Sequence, residues 1–185
     1  GWAWLRIRLI LALAQHKGGK MASVVGKPTN ATMEKDRQVY VAATPLRATK
    51  GPAQLLMSAA FSLNFWQLQH FMLIIKPSTT PPQALVFDFQ PQDPEDIHVA
   101  LCALSGKSVP GITRVRKISR LPRSRCWFID SVTPNAVEAA YEFNSNWKTD
   151  LRIGFHDCRH YTNGLAEVLT GKKNVLERLR TRAEA

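Results

Sequence analysis

The 185-residue sequence carries few cysteines: Cys102, Cys126 and Cys158. They form no CxxC pair and no regular framework, which excludes a disulfide scaffold and fits a reducing, intracellular compartment. Long apolar runs are also missing. LILALA at 9–14 is far too short to span a bilayer, so no transmembrane segment is expected. Acids are scarce at one end. Residues 1–83 hold ten Lys/Arg against two acids, whereas residues 84–185 hold fifteen against twelve. The net charge of +11 therefore belongs mainly to the N-terminal part and says little about the partners of the remainder.

Two readings of that basic end stand open. The first methionine is Met21, so residues 1–20 can lie upstream of the true start, which implies a cytoplasmic protein. Alternatively, five Lys/Arg with no acid before Glu34 is the composition of an organelle-import presequence, plastid or mitochondrial. Residues 1–50 as a whole read as a basic, weakly structured extension.

What is present beyond residue 50 is globular: 45% hydrophobic and 21% charged residues over the chain. Gly51-Pro52 opens AQLLMSAAFSLNFW, whose apolar run from Leu55 predicts a buried helix. HFMLII (70–75) and ALVFDFQP (84–91) predict strands that pair antiparallel across the proline-rich KPSTTPPQ. HVALCAL (98–104) suits either a strand or a short helix. ITRVRKI and RCWFIDSV predict two more strands. Thr133 and Pro134 predict a helix start as N-cap and first helical residue. Asp157 predicts the cap of another helix, with Tyr161, Leu165, Val168 and Leu169 at helical spacing and Gly171 as its terminator. A basic helix is expected over 172–185. Helix, strands, then helices is an α+β order, a small antiparallel sheet packed against helices.

Three motifs invite chemistry and fail. LSGKSVPG holds Gly-Lys-Ser, but a phosphate loop needs glycine at position 101, which is Leu. His156-x-Cys158-x-His160 resembles a metal cluster, yet on a helix residues 158 and 160 point about 200° apart. No fourth ligand is evident, so neither metal nor cofactor is expected. Arg114, Arg116, Lys117, Arg120, Arg123 and Arg125 form a basic run, either a solvated strand pair or a contact for an anionic partner, nucleic acid or lipid. No repeated aromatic platform accompanies it.

One constellation survives. A cysteine in the first turn of a helix sits at the positive end of the helix dipole, among unsatisfied backbone N–H groups that favour a thiolate and a developing oxyanion. Such a thiol needs a histidine on a rigid element and a polar group to orient it. His70 opens a strongly apolar strand, and Asp88 is an acid inside the next one, where pairing can bring it beside the imidazole. His98 is a rival base. Asp157 and His156 are expected to support the thiol.

HFMLII, LVFDFQP and, 88 residues after His70, HDCRHYTNGL together resemble the permuted papain-like domains of the NlpC/P60 type. These include the lecithin retinol acyltransferase-like group and related uncharacterised eukaryotic proteins. DCRHYTNGL resembles the family's N-C-x-x-F-x-N-x-L helix, with Asp157 for Asn, Tyr161 for the aromatic and Asn163 in register. Phe71 after the histidine and the proline-rich loop depart from the family pattern. The resemblance implies a papain-like α+β domain over 51–171. It also implies a cysteine-dependent hydrolase or acyl-transfer activity on an unidentified carbonyl or acyl substrate. Cys158 would be the nucleophile, His70 the base and Asp88 the orienter. The alternative is a catalytically inactive domain of the same fold that binds or assembles through residues 114–125.

Overall fold

The computed structural model describes residues 36–47, 51, 54–55, 58–59, 62–63, 66–78 and 83–184. Chain contacts separate Gly1–Thr32 from a compact unit, Met33–Ala185, and the description below is of the second. The readings of Met21 and of an import presequence lie outside the described residues, as do residues 79–82 of the proline-rich loop.

Six strands form one antiparallel sheet: β1 (Arg37–Pro45), β2 (Gln69–Pro77), β3 (Ala84–Pro91), β4 (Val109–Ile118), β5 (Cys126–Val132) and β6 (Asp150–Leu151). Their spatial order is β5-β1-β2-β3-β4-β6. Beyond residue 83, four α-helices lie in chain order among the described residues: α1 (Ile97–Leu104), α2 (Ala136–Asn146), α3 (Cys158–Thr170) and α4 (Val175–Glu184). The α+β class holds. Among the described residues no helix is long and apolar enough to cross a membrane.

The alternation of the strands sorts the core into two faces. Phe71, Leu73 and Ile75 of β2, with Phe87 and Phe89 of β3, are buried with Ala140 of α2, Tyr161 and Leu165 of α3, and Leu176 of α4. Met72, Ile74, Ala84 and Val86 point the other way and form a second cluster with Ala42. Both faces of β2 and β3 are therefore covered, which is why these strands read as nearly continuous apolar runs.

Three expectations are corrected and one that was open is resolved. Residues 37–45 are not extension: β1 lies between β5 and β2, with Val39, Val41 and Ala43 buried on the helix-facing side. Their alternation with Gln38 and Tyr40 is what a half-polar strand looks like, and the surrounding basic composition masks it. The helix after β5 starts at Ala136 with Asn135 as N-cap, not at Thr133, whose hydroxyl bonds the Asn135 side chain instead. Of the segment expected as a buried helix, Leu55 and Leu63 are helix or turn residues at 71% and 72% exposure. Its remaining apolar residues lie outside those described. HVALCAL resolves as α1, capped by Asp96, whose Oδ1 accepts from the His98 and Val99 amides at 2.7 and 3.3 Å.

Gly111 on β4 is a point of close approach. A Cβ there would sit 2.6 Å from the Phe89 ring and 2.9 Å from the Thr149 carbonyl oxygen. Phe89 is itself held against Trp147, Tyr161 and His156 at 5.5–6.1 Å between ring centroids, so it has little room to yield. Gly111→Ala is expected to cost about 1–3 kcal/mol by overpacking, read as a lowered urea midpoint. An unchanged midpoint would mean the strand absorbs a methyl group there.

Candidate active site

His70 is the second residue of β2, opposite Thr44 of β1, and is 9% exposed. Asp88 lies on β3 opposite Met72 on one side and Arg114 of β4 on the other, fully buried. The register brings the two together, with His70 Nε2 3.2 Å from Asp88 Oδ2. The same carboxylate accepts two bonds from Arg114, Nε to Oδ1 at 3.2 Å and a terminal nitrogen to Oδ2 at 3.0 Å. A terminal nitrogen of Arg116 stands 3.9 Å away.

Burial opposes ionisation of Asp88, but the bonds and charges of His70 and Arg114 outweigh it and hold its pKa at about 2. An ionised carboxylate only accepts, so Nε2 of the ring is the donor and Nδ1 is left to exchange a proton. Burial likewise disfavours a charged His70. The hydrogen bonds the ring makes with Asp88 and Cys158, with electrostatic attraction to both, overcome it and raise the imidazole to about 9.

Cys158 is the other group acting on that ring. It is the first residue of α3, 9% exposed, with Sγ 3.9 Å from the Gln69 carbonyl oxygen. Local chemistry fixes where α3 begins. Asp157 Oδ1 accepts from the Arg159 amide at 3.0 Å and Oδ2 from the Gly154 amide at 2.7 Å, and His160 closes a capping box. The Arg159 guanidinium adds a 2.7 Å ion pair. A cap is worth about 1 kcal/mol. Fully burying Tyr161 and Leu165 contributes about 1.5–3 kcal/mol each. Packing therefore seats the helix against the sheet, and the cap decides that its first residue is Cys158.

The other expected residues are placed as follows. His156 stacks on Trp147 at 4.5 Å and its Nδ1 lies 2.6 Å from the Asp150 carbonyl oxygen. Asn163 ties α3 to α4, donating to Glu177 at 3.0 Å and accepting from the Leu176 amide at 3.0 Å. His98 is exposed on α1. Arg114 and Arg116 of the basic run turn toward Asp88, while Lys117, Arg120 and Arg123 are exposed and Arg125 is half-buried. Arg114 as the anchor of Asp88 was missed. Its signal is the alternation of RVRKI opposite VFDF, legible once the strands are known to be neighbours.

A cleft of about 470 Å³, including the part open to solvent, meets the thiol and the imidazole. Leu46, Phe89, Leu151 and Ile153 give it an apolar wall, and Gln69 and Gln90 give it polar groups. A thiol at a helix start, an imidazole and an anchored carboxylate can together form and resolve a thioester. Comparison with known proteins attaches no family to this geometry: no family model, no curated protein and no solved structure matches the chain.

Proposed function

We propose that the chain is a cysteine-dependent hydrolase or acyl-transfer domain of the permuted papain-like kind. The observation that carries this is a single imidazole held by a buried carboxylate and also acted on by a thiol at a helix N-terminus. The Cys158 thiolate attacks a carbonyl carbon. Its own backbone N–H, at the first helical position and outside the intrahelical ladder, faces the developing oxyanion. Protonated His70 gives its proton to the departing amine or alcohol as the carbon–heteroatom bond breaks, leaving a thioester. Water or an amine, deprotonated by His70, then attacks the thioester and releases Cys158.

Thiol labelling separates this from a packing role. Cys102 is exposed, Cys126 half-buried and Cys158 buried, so accessibility alone favours Cys102. Burial also pushes the Cys126 thiol up. Iodoacetamide is expected to modify Cys158 first at pH 7, and His70→Ala to remove the preference. Fastest labelling at Cys102 in the unaltered chain would overturn the proposal. The acyl-transfer step is also expected to slow as pH rises through about 9, where His70 loses the proton it must donate.

A further inference from the structure

α1 is built inside out. Its sequence, IHVALCAL, turns Ala103 and Val99 toward the body of the unit. Ile97, Leu101 and Leu104 recur at i, i+4 and i+7, which sets them along one stripe on the opposite side. They are 56%, 59% and 73% exposed. A surface helix ordinarily buries its large apolar residues and shows its small ones, so a stripe of this kind marks a contact surface. Charge frames it. Exposed Asp93 and Glu95 precede the stripe, and exposed Lys107 follows it. Arg152 is fastened at that second end, its Nε donating to the Gly106 carbonyl oxygen at 2.9 Å. Its guanidinium lies 4.6 Å from the centre of the Phe155 ring, which is itself 70% exposed. Acids at the start of a helix and bases at its end also suit its own dipole, but that leaves the outward leucines without a cause.

We propose that this face binds a second copy of the chain, α1 lying antiparallel to its counterpart about a two-fold axis near Leu101. The order of acids, apolar stripe and bases is self-complementary under that operation, because the start of each helix meets the end of the other. Asp93 and Glu95 of one protomer then face Lys107 and Arg152 of its partner, while Leu101 packs on its own copy and Ile97 on Leu104. A partner of one charge sign would satisfy one end of the stripe and repel the other. The inference is independent of the chemistry of Cys158.

Sedimentation velocity on the full chain tests it. A face built from one helix of about two turns and an adjoining side chain is small, so a dimer with a micromolar dissociation constant is expected. Leu101→Glu sets two carboxylates against each other on the axis and should weaken the dimer about 100-fold. Its far-UV spectrum and urea midpoint should stay unchanged, because the position is exposed. Glu95→Lys and Lys107→Glu are each expected to weaken the dimer about tenfold, and the two together to return it to within about threefold of the original. A chain that is monomeric at about 100 μM would overturn the proposal and assign the stripe to another partner. Dimers that survive Leu101→Glu would overturn it by placing self-association elsewhere. A double variant no tighter than the single ones would overturn it by denying the antiparallel alignment.

Discussion

Asp88→Asn is expected to lower acyl transfer by roughly 10²–10⁴-fold and to cost about 3–5 kcal/mol of stability. The substitution keeps shape and volume, so the effect isolates charge. Asp88 is fully buried and answers both the imidazole and the Arg114 guanidinium, whose side chain is 29% exposed. Asparagine leaves that guanidinium without its counter-charge and offers Nε2 either a weaker acceptor or a competing donor. The pH dependence identifies the mechanism. The pKa of Asp88 is lowered from 3.8 to about 2, so its contribution is present above about pH 4 and is lost as pH falls through 2. The pKa of His70 is raised from 6.5 to about 9, so its contribution is full below about 6.5 and is lost as pH rises through 9. Urea midpoints at pH 3, 5.5 and 9.5 should trace a plateau with falling flanks, and Asp88→Asn should flatten both flanks. A variant that keeps the original pH profile at lower overall stability would show that the carboxylate serves packing rather than the imidazole.

Asp157→Ala is expected to cost about 2–3 kcal/mol and to slow Cys158 labelling about tenfold. One side chain satisfies the Gly154 and Arg159 amides, the Arg159 guanidinium and His160. Burial opposes its charge, but the Arg159 and Gly154 bonds win and hold the carboxyl well below the usual range. Without it the first turn frays and the thiol loses its fixed approach to His70. Asp157→Asn, which keeps an acceptor for the amides, should recover a good part of both effects. A full labelling rate in Asp157→Ala would show that packing of Tyr161 and Leu165 alone holds the thiol in place.

How much of this was readable in advance follows from the range of each interaction. The start of α3 was legible because cap, periodicity and terminator lie within fifteen residues of one another. β2 and β3 were legible because both their faces are covered, which leaves an apolar run with one acid in it. His70, Asp88 and Cys158 could be named as a set by chain order and resemblance, but their meeting depends on strand register and on α3 crossing the end of β2. Arg114 was read as a member of a surface run because its counter-charge is 26 residues away on a neighbouring strand. β1 was obscured by its composition. Its buried residues are small or β-branched, and the charges around it dominate any window long enough to average.

That last strand sets the smallest chain worth making. Composition alone invites a cut near residue 50, where the basic stretch ends. Such a cut would take the rung between β5 and β2 out of the sheet, leaving β5 without the strand it pairs with and β2 with an open edge beside His70. A shortened protein intended to keep the proposed thiol chemistry therefore has to begin before Asp36. One begun at residue 50 should be recovered as aggregate, because it presents β2 as an unpaired apolar edge.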